Sequence, residues 1–72
     1  MTTTYKNFHG TKAEYIAYLI ERVQFWAKAF AEGGKHRDEW FMMLNQAEEH
    51  LAAEGYEWDE IEAIEIAAMQ AA

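Results

Sequence analysis

The chain contains no cysteine, no serine and no proline, and it has no lysine or arginine after Arg37. Each absence removes a class of explanation. Without cysteine there is no disulfide and no thiolate, so covalent stapling and thiol chemistry are excluded; a reducing compartment fits such a chain. Without serine, the side-chain hydroxyls are confined to four threonines near the start and four tyrosines, and a Ser or Cys nucleophile is ruled out. Without proline, no helical segment is forced to break internally. Glycine is scarce as well: Gly10, Gly33, Gly34 and Gly55 fit neither GxGxxG nor GxxxxGK[ST], the backbone cradles for phosphate. No stretch approaches the roughly 20 apolar residues needed to span a bilayer. The opening MTTTYKNFHG lacks the apolar core of a secretory signal. A cytoplasmic protein without membrane attachment is expected.

What remains is a short, helix-rich pattern. Seventy-two residues bound the chain to one domain. Its small core must offset an ordering cost of about 1.5 kcal/mol per residue. Hydrophobic residues make up 51% and aromatics 15%, enough for a folded core and too much for global disorder.

Three segments carry helical periodicity. The first opens at Thr11, which with Glu14 matches a capping box. Tyr15, Ile16, Leu19, Ile20, Val23, Trp26, Ala27 and Phe30 then recur on one broad face, and Gly33-Gly34 ends the run. The second is expected to start near Asp38, with Asp38 and Glu39 in the first turn and Trp40, Met43, Leu44, Ala47 and Leu51 inward. Gly55 stops it. The third is expected to start at Asp59, with Glu62 as its capping partner and Ile61, Ile64, Ala68 and Ala71 inward. Short connections make neighbouring helices antiparallel. The expected fold is all-α: a compact antiparallel three-helix bundle over residues 11–72, preceded by a short N-terminal tail, residues 1–10. Tyr5 and Phe8 are the residues that would dock that tail.

Charge is distributed unevenly along this pattern. Residues 1–37 hold all six basic side chains beside three acids, a balance of +3; residues 38–72 hold ten acids and no Lys or Arg, −10. Helix-dipole preference and solubility account for some of these acids. They do not account for the missing Lys and Arg, because a solvated helix face normally mixes signs to exploit i,i+4 pairs. Two kinds of neutraliser fit: the chain's own Lys12, Arg22, Lys28, Lys35 and Arg37 lining the seam, or a basic surface on a partner.

The second reading defines a candidate docking surface. It consists of Glu48, Glu49, Glu54, Glu57, Asp59, Glu60, Glu62 and Glu65, with Asp59, Glu62 and Glu65 as an oblique ridge and Tyr56 and Trp58 as aromatic anchors. The partner is then a basic protein surface such as that of a nucleic-acid-binding protein or nuclease complex, and the carboxylates act as a DNA mimic that occludes it. In size, charge and helicity the chain resembles small acidic proteins that phages and mobile elements use against host nucleases, including some anti-restriction and anti-CRISPR proteins; no residue motif carries that likeness. Direct nucleic-acid binding is not expected, because phosphates require Lys and Arg.

The alternative is a structural homo-oligomer, a homodimer in the simplest case. Tyr18, Phe25, Ile66 and Met69, which lie off the main stripes, would be its interface. No enzyme activity is expected, since a domain this small leaves little room for a substrate pocket. No metal or cofactor is expected either. Glu48, Glu49, His50 and Glu54 lie close in sequence, but Glu-x-x-His would need an acid where Ala47 stands.

Overall fold

The computed structural model describes residues 4–71. Five elements follow in order: β1 (Thr4–Tyr5), β2 (Phe8–His9), α1 (Lys12–Glu32), α2 (Arg37–Ala53) and α3 (Trp58–Gln70). The fold is an all-α three-helix bundle carrying a very small N-terminal hairpin.

The segment expected as a tail is ordered by local chemistry. Lys6 and Asn7 adopt positive φ, 48° and 67°, the geometry of the tight turn that matches strand twist. Thr4 pairs with His9 and Tyr5 with Phe8 in an antiparallel ladder. Directly opposed residues share one face, so Tyr5 and Phe8 act together. Both rings lie 5.5 Å from the ring of Tyr15, and Phe8 lies 5.3 Å from that of Tyr18. The first turns of α1 therefore hold the hairpin. Gly10 then turns the chain at φ 151°, where a Cβ would meet the Phe8 ring at 2.8 Å.

Thr11 caps α1 as its spacing predicts. The Thr11 N–H donates to Glu14 Oε1 at 3.0 Å, and the Glu14 N–H donates to Thr11 Oγ1 at 3.2 Å. Gly33, at φ 74°, closes the helix. α2 begins at Arg37, one residue before the expected start. α3 begins at Trp58, and its cap differs from the expected one: Glu57 is the N-cap residue, and its N–H donates to Glu60 Oε1 at 3.1 Å. The pair Asp59/Glu62 has the same spacing but lies inside the helix.

α1 and α2 run antiparallel. At one end Trp26 stacks on Trp40, with centroids 5.3 Å apart, and Phe30 meets Phe41 at 5.5 Å. At the other end the hairpin on Tyr15 reaches Glu54, just past α2. α3 returns alongside α1, with Ala67, Ala68 and Ala71 beside Gln24 and Lys28. It packs chiefly on α1 and only lightly on α2. Leu19, Val23 and Ala27 of α1, Leu44, Ala47 and Leu51 of α2, and Ile61 of α3 form the buried core. Ala27 and Ala47 are small enough to let the helices approach closely. No helix among the described residues is long and apolar enough to cross a membrane.

Candidate docking faces

The ten residues expected on one acidic surface divide into an inward and an outward group. Glu54 faces inward, its side chain 1% exposed. It accepts a hydrogen bond from the Tyr5 hydroxyl at 2.8 Å and pairs with the Lys6 ammonium. The bond from Lys6, then that from Tyr5, holds the Glu54 carboxyl below its ordinary range. The same contacts push Tyr5 and Lys6 above theirs. Glu54 is thus a clasp between the hairpin and the end of α2.

Glu48 also faces inward, 8% exposed, in the α2–α3 seam. Burial, and after it the hydrogen bond and charge of the adjoining Glu65, push the Glu48 carboxyl up to about 8. Burial and a neighbouring carboxyl both disfavour the charged form, so Glu48 keeps its proton at neutral pH. Glu65 is half-buried by this contact and leaves the expected ridge. Tyr56 is half-buried as well and packs against the core.

The outward group is Glu49 on α2, Glu57 before α3, and Asp59, Glu60 and Glu62 on α3, all exposed. Trp58 lies among them, 57% exposed, and Ile66 is 44% exposed. At 100° per residue, Asp59, Glu62 and Ile66 share the outer face of α3, opposite Ile61 and Ala68. The ridge seen in the structure is therefore Asp59–Glu62–Ile66, with an apolar third member where an acid was expected.

The chain's own cations do not neutralise that face. Among the described residues, Lys6 to Glu54 is the one pair joining a Lys or Arg to a carboxylate. Two arginines lie over rings instead. Arg37 is 4.4 Å from the Phe30 centroid, and Arg22 is 5.6 Å and 5.9 Å from those of Tyr18 and Trp26.

The four residues expected as an oligomer interface do not share one surface. Met69 packs against the core and Ile66 belongs to the outer face of α3. Tyr18 and Phe25 flank α1 on another side. There they join Arg22, Trp26, Trp40, Met42 and Met43 along a groove in the α1–α2 seam. Its hollows measure about 340 and 330 Å³ and meet at Trp26. A third hollow, about 660 Å³, continues past Tyr18 and Arg22 to Lys6, His9, Tyr15 and His50. The indole Nε1–H of Trp26 is buried without an acceptor among the described residues, a deficit that costs roughly 1–3 kcal/mol. Trp26 packs against the core as its stripe predicts, and the spacing of Tyr18, Arg22 and Phe25 places them on one flank of α1; spacing does not give the α2 side of the groove, where Trp40, Met42 and Met43 meet Trp26.

Among the described residues, no three His, Asp or Glu side chains converge to hold a metal ion. No family model, curated protein or solved structure matches the chain.

Proposed function

We propose that the protein is a non-enzymatic binding module that occludes a basic surface on a partner, of the kind a nucleic-acid-binding protein presents. Its docking face is the outer side of α3 and the loop before it. Glu57, Asp59, Glu60 and Glu62 supply the field, and Trp58 and Ile66 supply apolar anchors. The observation that carries this reading is the set of exposed carboxylates around Trp58 that no Lys or Arg of the chain pairs with. Such a field raises the encounter rate with a cation-rich surface, and an exposed Trp within it has the composition of a binding hot spot.

Glu48, Glu54 and Glu65 are not part of this face, because they serve the interior. The test accordingly reverses Asp59 and Glu62 rather than Glu65. Immobilised wild-type protein is challenged with the heparin-retained, basic fraction of a host lysate. The Asp59→Lys/Glu62→Lys variant, with its helicity verified by circular dichroism, is run beside it. The expected result is a saturable captured protein whose retention weakens at least about tenfold in the variant, roughly 1.4 kcal/mol. Equal capture by both, with the same dependence on salt, removes the proposal.

A further inference from the structure

The groove in the α1–α2 seam lies on the side of those helices away from α3. On α1, Ile16 and Ile20 pack against the core, while Tyr18, Arg22 and Phe25 stand about 140–180° around the helix from their mean direction. On α2, Glu48 and Ala52 turn toward α3, while Glu39, Met43, Gln46 and His50 turn toward the groove. A small bundle has left one flank of its central helix pair uncovered. That flank carries two of the most exposed large apolar side chains, Phe25 and Met42, each 62% exposed.

We propose that this face pairs with the same face of a second copy about a twofold axis. The resulting dimer has a central layer of four helices, two α1 and two α2, with each α3 on the outside. Charge selects a second copy as the occupant. The chain is −7 overall, so two copies repel wherever acids face acids, as they would across α3. The groove is the exception. Among the described residues Arg22 meets the Tyr18 hydroxyl and two rings but no carboxylate, Glu21 meets no Lys or Arg, and Glu39 meets only the imidazole of His36. A face whose Arg and Glu side chains do not meet one another within the chain is self-complementary under a twofold, because each copy offers the opposite sign to the other.

Size and polarity agree. α1 has 21 residues, about 31 Å at 1.5 Å per residue, and two helices side by side make a face about 20 Å wide. That footprint of about 600 Å², before allowing for surface relief, approaches the roughly 800 Å² per partner of a stable interface. Stacked Trp26 and Trp40 lie near its centre. The dimer also bears on the function proposed above: two outward α3 faces make it bivalent, and avidity follows without new contacts.

The test needs no partner, so it succeeds or fails independently of the docking proposal. Sedimentation equilibrium of the whole chain at micromolar concentration, in physiological salt, is expected to return twice the monomer mass of 8.4 kDa. Both large apolar positions are exposed, so Phe25→Glu/Met42→Glu should keep the helical circular dichroism and shift the equilibrium to monomer by at least about tenfold. Arg22→Glu alone should weaken the dimer, and Asp59→Lys/Glu62→Lys should leave it intact. A wild-type monomer throughout overturns the proposal; if that monomer's groove instead binds an unrelated protein, the face belongs to a heterologous partner. A dimer indifferent to Phe25→Glu/Met42→Glu also overturns it, since the contact then uses another surface.

Discussion

Two glutamates pull stability in opposite directions with pH. Glu54 has its carboxyl lowered by Lys6 and Tyr5. Its contribution is present above the ordinary value of 4.5 and is lost as pH falls through the lowered value. Glu48 is raised to about 8 from 4.5. Between those values the folded chain binds more protons than the unfolded one. Stability is therefore fully present below 4.5, declines as pH rises, and has lost this contribution above about 8. Thermal unfolding should accordingly peak near pH 4.5–5 and fall on both sides. Glu48→Gln keeps a neutral group in the seam at every pH. It should raise the melting temperature at pH 8 by an amount worth 1 kcal/mol or more, with little effect at pH 4.5. A variant as pH-sensitive as the wild type on the alkaline side would contradict the assignment. Gly10 is the other residue with a sharp role: Gly10→Ala must strain a positive φ and displace the Phe8 ring, at a cost of about 1–3 kcal/mol in denaturant titration.

At the scale of elements, hairpin and helices should part company under mild stress. The hairpin is held by Tyr5, Phe8 and the Glu54 clasp. Glu54→Ala should therefore release its amides to hydrogen exchange while the core of α1 stays protected. Uniform loss of protection would mean that the hairpin and bundle form one cooperative unit. α3 depends on a single fully buried side chain, Ile61, and packs mainly on α1. Ile61→Ala should cost about 2–5 kcal/mol, near the limit of what a domain this small can lose, and α3 should detach first.

The same elements show what the sequence could reveal. The α1 cap at Thr11/Glu14, the glycine stop and the core stripes follow from spacing of four residues or fewer, where local geometry decides. The α3 cap fell two residues from expectation because two acidic pairs, Glu57/Glu60 and Asp59/Glu62, have the same spacing. Tyr5 and Phe8 were legible as docking residues; the hairpin between them was not, because Lys6-Asn7 is a weaker turn signal than Asn-Gly. The inward turn of Glu48 and Glu54 could not be read locally. Glu54 is fixed by Tyr5, 49 residues away in the chain, and Glu48 is fixed by the packing of a different helix.

For the molecule as a whole, charge rather than shape distinguishes its surfaces. The uncovered α1–α2 flank mixes signs among aromatics, whereas the outer face of α3 is acidic and lacks neutralising Lys or Arg. The interior carboxyls, Glu48 and Glu54, are withdrawn from that field, so a smaller set of acids carries it than the composition suggests. The most direct measurement is the association rate between the strongest captured basic protein and the wild type across a range of ionic strength, with Asp59→Lys/Glu62→Lys alongside. A steep fall in rate with added salt, and a slower, flatter response for the variant, is the predicted result. Rates indifferent to both salt and charge reversal would show that α3 steers nothing.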